Sequence, residues 1–428
     1  MMTLSRTNQQ RALVALVEVL GLSVWFSATA VVPTLRAEWG IGATGAVWLT
    51  ASVQIGFVTG AITSAVFNLA DRVTPQKLLA ASALGAAACT AAIAFFATGL
   101  GAAVPMRFLT GMFLAGVYPV GMKLMASWSE SADRGRAIGI LIGALTLGSA
   151  LPHLISGIGP VPWRSAMLAA AILSTTAAVV ALAVIRPGPH LDIRPGAPDP
   201  RHALALFAER GSRLVSLGYF GHMWELYALW TWLSMFVTAG REARGDTTTA
   251  STGFIAFVAI GVAGAVGCVL GGWASDRFGR PPAAVTALVI SGSCCVASPL
   301  FFTTPTIILV AFVLVWGAAV IADSGVFSTA LSETTDARYV GTALTAQTGI
   351  GFLLTVVTIQ LVPIVADLIG WHYAFLILAP GPLIGAVAMF TLNVPKQHSH
   401  PQEERHDHHP NAHNAVRRSD SATLTHCC

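Results

Sequence analysis

Residues 250–280 read ASTGFIAFVAIGVAGAVGCVLGGWASDRFGR. No charged residue precedes Asp276 in this stretch, and most of it is apolar. A helix needs about 20 mostly apolar residues to cross a bilayer. This run supplies them and then ends in the cluster Asp276, Arg277 and Arg280. It reads as a membrane span, and that reading decides the fold.

Outward from it, eleven more blocks of the same kind appear. The twelve cover approximately 11–35, 43–69, 77–98, 101–127, 137–158, 164–185, 213–239, 250–271, 282–303, 306–330, 341–366 and 371–394. Charged residues make up 10% of the chain, against roughly 25% in soluble proteins. Apolar residues make up 54%, too many for a soluble chain to cover with polar surface. The formal charge of +4 is small, and its basic residues lie mostly in short loops, so no nucleic-acid partner is expected. Cys89, Cys268, Cys294 and Cys295 lie in apolar blocks, and Cys427 and Cys428 end the chain. Their spacing gives neither a disulfide framework nor a zinc site, and no metal or cofactor is expected. Met1 to Arg11 with Ala28-Thr29-Ala30 resembles a signal peptide and cleavage site. Because the run is as long as a full span, it is read as an uncleaved first helix.

Lys and Arg set the orientation. With the N-terminus in the cytoplasm, nineteen of them fall in cytoplasmic segments. Only Arg36, Arg164, Arg241 and Arg244 lie outside, and Arg107 stays within a span. The expected organisation is a bundle of six helices over 1–185, a proline-rich cytoplasmic linker over 186–212, a second six-helix bundle over 213–394, and a disordered histidine-rich cytoplasmic tail over 395–428. The expected location is a bacterial-type inner membrane, crossed many times, with both termini in the cytoplasm. The expected partners are a small-molecule substrate, protons and the lipid bilayer, and the chain is expected to act as a monomer.

The halves repeat at an offset of about 202 to 208 residues. Asp71-Arg72 matches Asp276-Arg277, Asp133–Gly139 matches Asp336–Gly341, and Trp163-Arg164 matches Trp371-His372. Glu18 and Trp25 in the first span match Glu225 and Trp232 in the seventh. Repeats of this kind place a substrate site at their interface near the bilayer midplane. Together with the motif Gly272, Asp276, Arg277, Gly279, Arg280, and with Arg107, Gly111, Gly116 and Pro119 in span 4, the chain resembles the major facilitator superfamily over nearly all of residues 11–394. The first-half copy of the loop motif keeps Asp71-Arg72 but has Phe67 in place of glycine. Span 5 reads Gly143 to Pro152 and departs from that family's antiporter pattern. The resemblance implies an all-α membrane fold of twelve helices in two pseudo-symmetric bundles. It also implies that helices 1, 4, 7 and 10 line a central cavity.

Charges inside a bilayer cost about 2.5–3.5 kcal/mol on insertion scales, so they face a cavity or a partner. Those well inside spans are Glu18, Arg107, Glu225 and Asp323, one each on spans 1, 4, 7 and 10. Helical spacing puts Trp25 on the face of Glu18, Tyr118 on that of Arg107, His222 and Trp232 on that of Glu225, and Trp316 on that of Asp323. Burial raises the pKa of an unpaired carboxylate. In an alternately exposed cavity such a group can load a proton on one side and release it on the other. Proton coupling is assigned to Glu225 first, then Glu18 and Asp323. Substrate binding is assigned to Arg107, Trp25, Tyr118, His222, Trp232, Trp316 and Gln347. For Arg107 a structural ion pair with one of the acids is an equal alternative, and Trp224, Tyr227 and Trp230 are assigned to packing. Asp71, Arg72, Asp276, Arg277 and Arg280 are expected to form gating links at cytoplasmic helix ends.

These residues point to a transporter and away from an enzyme, because no nucleophile–base constellation stands out. Three functions are weighed: proton-coupled uptake of a small polar or anionic metabolite, proton-driven efflux of drugs or hydrophobic cations, and a non-transporting membrane sensor.

Overall fold

The computed structural model describes residues 6–67, 69–130, 134–157, 162–191, 209–246, 252–335 and 340–392, without the side chains of 43, 44, 70, 71, 134 and 340–342. The expected tail lies outside the described residues, and the expected linker is described only at its ends.

The described residues form twelve helical rods and no strand. The first, α1, runs Arg6–Val24 and Thr29–Trp39, bent by 47°. There follow α2 (Ala43–Val66), α3 (Pro75–Phe96), α4 (Leu100–Ser127), α5 (Arg134–Gly157) and α6 (Trp163–Val184). The second set is α7 (Arg210–Ala243), α8 (Thr252–Phe278), α9 (Arg280–Phe302), α10 (Thr306–Thr334), α11 (Val340–Ile369) and α12 (Trp371–Phe390). Ten of these are long and apolar enough to cross a bilayer singly, and α1 is so as a bent pair. The 34-residue α7 has the length but a lower mean apolarity, since it carries Glu225, His222 and several aromatic residues.

Several breaks have local causes. In α4 the helix loosens between Leu114 and Tyr118. Pro119 lacks an N–H and its ring crowds the carbonyl four residues back, at Ala115. In α10 the break falls at Asp323, whose carbonyl accepts from the backbone N–H of Val326 and Phe327 and restarts the helix. In α8, Phe257–Ala263 winds as a π-helix.

Within the first half α2 packs on α4, α3 on α6, and α1 on α5 and α6. Within the second, α7 packs on α11 and α12, α9 on α12, and α8 on α10. The α2–α4 contact is backbone against backbone: a Cβ on Gly56 would strike the carbonyl of Phe108, and one on Gly111 the carbonyl of Val53. Such close approach is the small-residue packing of membrane helices, which lack a hydrophobic drive between them. The halves meet along two seams, α5 on α8 and α2 on α11. Exposed apolar side chains such as Leu84, Phe96, Ile172, Val296, Leu300 and Phe390 cover the outer face, as contact with lipid tails requires.

Candidate functional site

Between the halves lies a cavity of about 320 Å³. Its lining comes from α2, α4, α5, α7, α10 and α11. Five rings form much of the wall: Phe57, Tyr118, Tyr219, Tyr227 and Phe352. Hydroxyls of Ser64, Ser324, Ser328, Thr345 and Thr348 join them, and Met122, Met223 and Leu226 fill the gaps. Three of the chain's five tyrosines therefore border one space. Aromatic walls with a few hydrogen-bonding groups are the usual build of a small-molecule site. Ser64 lies two residues from the end of α2, and Thr345 five residues from the start of α11. The cavity thus sits toward the end of the bundle where α1, α5, α7 and α11 begin.

Toward the other end the cavity is closed by a plug of rings from both halves. Trp25 lies 5.1 Å from Phe57, 5.9 Å from Tyr227 and 5.7 Å from Phe352, ring centre to ring centre. Phe57 and Phe352 meet at 4.5 Å across the α2–α11 seam. Phe26 adds contacts to Tyr227 and Trp230. Beyond the plug, Thr29, Thr50, Trp232 and Ser234 border a small cleft of about 40 Å³.

The four intramembrane charges are all buried, yet none is among the described residues that line the cavity. This corrects the expectation of a charge and an aromatic presented together on each cavity helix. Each charge sits one layer behind the wall, where protein groups replace water.

Arg107 reaches across the bend of α1. Its Nη1 donates to the carbonyl of Val24 at 2.9 Å and to Ser27 Oγ at 3.3 Å, its Nη2 to the carbonyl of Trp25, and its Nε to the carbonyl of Leu49 at 2.9 Å. The Trp25 carbonyl is one that the broken helix leaves without a backbone donor; that of Val24 also accepts from Ser27 Oγ, and that of Leu49 lies within α2. Neither the assigned substrate contact nor the alternative of an ion pair with an acid is what holds Arg107 here, since its fork is filled mainly by backbone oxygens.

Glu225 is held within the second half. It accepts from Ser291 Oγ at 2.7 Å, from Trp316 Nε1 at 2.6 Å and from Cys295 Sγ at 3.2 Å. Trp316 is thereby a partner of Glu225 rather than a wall of the cavity, and Trp232 donates to the carbonyl of Ile359 at 2.9 Å. Gln347 donates to Ser216 Oγ at 3.3 Å. Glu18 is fully buried against Gly121, and neither of its carboxyl oxygens has a hydrogen-bond partner. His222 Nδ1 stands 2.8 Å from Asp323 Oδ1, with both side chains buried. Tyr118 lines the cavity, and the Trp25 ring packs on the wall residues Phe57, Tyr227 and Phe352.

At the loops, Arg280 bonds Asp276 at 2.8 Å, Ser275 Oγ at 2.7 Å and Glu333 at 3.3 Å. Asp276 belongs to the second half but overlies the start of α5 in the first: a Cβ on Gly135 would lie 3.1 Å from its Oδ1. Arg72 and Arg277 are exposed, and the side chain of Asp71 lies outside the described residues.

Tyr219, Phe57, Phe352 and the Ser and Thr hydroxyls went unread in the sequence, and Tyr227 was assigned to packing. A signal existed. Tyr219, Met223, Leu226 and Tyr227 recur at helical spacing and form a second stripe on α7, rotated from the one that carries His222 and Glu225.

Two six-helix halves around a central cavity, with rings from both meeting at one end of it, are the architecture in which repeated halves place a substrate site at their interface. The chain belongs to the Major Facilitator Superfamily, whose sequence model matches residues 14–358 and 215–425. Its fold is similar to that of the xylose transporter XylE from E. coli in a partially occluded inward open conformation (TM-score 0.68, 14% identity, 91% of this chain and 100% of the other). It is also similar to the nucleoside transporter NupG (TM-score 0.66, 15% identity, 90% and 100%). In sequence it is similar to a gallate transporter of Pseudomonas putida, 26% identical over 63% of this chain and 65% of the relative, so the match spans just under two thirds of that protein. A gentisate transporter of Corynebacterium glutamicum is 26% identical over 84% of this chain and 81% of its own length. The niacin transporter NiaP of Acinetobacter baylyi is 24% identical over 67% and 70%.

Proposed function

We propose that this protein imports a small aromatic carboxylate across a bacterial-type inner membrane, coupled to protons, with both termini in the cytoplasm. The observation that carries the reading is the cavity wall of five rings interleaved with hydroxyls. Its volume of about 320 Å³ lies at the lower end of the roughly 300–1,000 Å³ of small-molecule pockets, which suits a single-ring solute. Flat rings stack on Phe and Tyr, and Tyr, Ser and Thr hydroxyls donate to a carboxylate. Gallate, gentisate and niacin, the named solutes of three of the relatives, are small aromatic acids, and the sulfoacetate of a fourth is a small aliphatic anion. On this reading the cavity faces the cytoplasm, and Asp276, at the α5 terminus, and Arg280, bonded to Glu333, tune the equilibrium between inward and outward states. Substrate contact falls to Tyr118, Tyr219, Tyr227, Phe57 and Phe352. Arg107 serves the site indirectly by holding α1.

The test is uptake of radiolabelled gentisate, gallate and nicotinate by proteoliposomes under an inwardly directed proton gradient. At least one accumulates, and a protonophore abolishes it. Absence of uptake of all three would overturn the reading. Efflux of a hydrophobic cation is the second reading, favoured by the lack of any Lys, Arg or His among the described cavity residues. Proton-driven ethidium transport, with no uptake of the acids, would establish it instead.

A further inference from the structure

His222 and Asp323 form a buried pair, Nδ1 to Oδ1 2.8 Å, immediately behind the cavity wall. The next residue along each helix, Met223 on α7 and Ser324 on α10, lines the cavity. So does Tyr219, one turn before His222, and the two rings lie 6.1 Å apart. We infer that a proton enters this pair together with an anionic substrate, and that the proton admits the substrate by cancelling the pair's negative charge. The inference rests on the carboxylate-transporter reading above and specifies how coupling at that site works.

The argument begins with charge. None of the described residues lining the cavity is Lys, Arg or His, and the buried cation Arg107 is committed to the backbone of α1 and α2. No fixed positive charge in the described wall therefore receives a carboxylate. Without an extra proton, the pair of imidazole and carboxylate carries one negative charge. A like charge so close lowers the affinity for an anion by about tenfold or more at an effective dielectric near 20. With one proton added, the pair is neutral.

The second observation concerns the ring. His222 Nε2 and Asp323 Oδ1 are both buried without a hydrogen-bond partner, the 2.8 Å approach of Oδ1 to Nδ1 being a charge contact out of hydrogen-bond alignment. Nδ1 faces Asp323, so Nε2 is the position left for the added proton, which turns it from an acceptor into a donor. The step balances simply. One proton from the aqueous side bonds to Nε2, one carboxylate enters the cavity, and both leave on the opposite side with no change in redox state. Net charge carried by a monoanion is zero.

The groups facing the pair are few. On α7 they are Tyr219 and, one turn further, Glu225, whose carboxylate feels Asp323 but is bound by Ser291, Cys295 and Trp316. From α8 the thiol of Cys268 feels Asp323, and on α10 Phe327 packs on the His222 ring at 5.6 Å. From the first half, Tyr118 of α4 lines the cavity opposite Tyr219 and Met223.

The experiment is titration calorimetry of the purified full chain with gentisate and nicotinate, each beside its neutral amide. Each titration is run in two buffers of different ionisation heat at pH 6 and pH 8, so that proton uptake is read directly. Wild type is expected to take up about one proton per acid and none per amide, and to bind the acids at least about tenfold more tightly at pH 6. The H222Q/D323N double variant, neutral at either pH, is expected to lose proton uptake and to bind the acids equally at both. Its amide affinity should stay within about twofold, which also reports an intact pocket. Proton uptake that persists in a double variant still binding the amides would place the proton elsewhere, Glu18 first, and overturn the inference. So would acid binding by wild type without proton uptake, a result that needs no variant to fold. Wild type that binds neither acids nor amides would instead overturn the substrate reading itself.

Discussion

Arg107 on α4 donates from Nη2 to the carbonyl of Trp25 and from Nη1 to that of Val24, so the bend of α1 is held by a side chain from another helix. If the guanidinium goes, the carbonyl of Trp25 loses its donor, while that of Val24 keeps Ser27 and that of Leu49 keeps its place in the ladder of α2. An orphaned buried group costs about 1–3 kcal/mol. Arg107→Met is therefore expected to lose about 2–3 kcal/mol. Arg107→Lys recovers only part, because an ammonium lacks the planar fork that reaches all three. Thermal unfolding in detergent checks the loss. In whatever fraction remains folded, the ratio of affinities for an acid and its amide stays as in wild type. A selective loss of acid binding would return Arg107 to the substrate site.

Glu18 and Gly121 form a second such contact, between α1 and the far half of α4. A Cβ at 121 would overlap the Glu18 carboxyl. Gly121→Ala must push that side chain aside, at about 1–3 kcal/mol, the usual range for overpacking. Glu18→Ala on its own leaves a void and costs something too. In the double variant the added methyl enters the vacated space, so the two losses add to less than their sum. A double-mutant cycle on thermal stability should show coupling of about 1 kcal/mol or more. Strict additivity would mean that the two residues do not touch.

Glu225 accepts three hydrogen bonds in a pocket made by α9 and α10. A glutamine there can still accept from Trp316, while Ser291 turns to accept from the amide. Glu225→Gln is expected to cost about 1 kcal/mol, and Glu225→Leu about 3, since the indole and hydroxyl are then left unpaired. Proton uptake with substrate should remain near one per molecule in the glutamine variant. Its disappearance, with His222 and Asp323 intact, would move the coupling site to Glu225.

These contrasts mark how far the sequence could be read. Twelve apolar runs and an alternating charge bias are properties of local composition, so the spans were legible, and the charges of spans 1, 4, 7 and 10 are indeed buried. Which layer each charge occupies was not legible. Helical spacing groups residues by face but leaves open which face turns to the cavity. On α7 the charged stripe of His222 and Glu225 turns into its own bundle, and the stripe of Tyr219 and Tyr227 meets the cavity. The bend of α1 was hidden for a different reason. No proline or paired glycine marks Trp25–Ala28, and the break depends on Arg107, some eighty residues away.

Trp25 carries the last expectation. Its ring touches Phe57 from its own half and Tyr227 and Phe352 from the other. Each aromatic pair contributes about 0.5–1.5 kcal/mol beyond simple burial. Only the pairs with Tyr227 and Phe352 cross to the other half, so Trp25→Ala weakens closure of the plug by about 2 kcal/mol, which shifts the balance between closed and open at that end by roughly thirtyfold. The cleft beyond the plug provides a reporter, because Thr50 borders it. With the native cysteines replaced, Thr50→Cys should react with a membrane-impermeant maleimide at least tenfold faster in the Trp25→Ala background. Trp224→Phe serves as the control, since its indole bonds the carbonyl of Ile377 inside the second half and has no part in the plug. On the proposed orientation, with the plug toward the outside, proton-driven accumulation should fall in Trp25→Ala, because a barrier that reopens there lets solute escape before release. If labelling at Thr50→Cys is unchanged, the rings pack without gating, and closure must be sought in the α5–α8 seam instead.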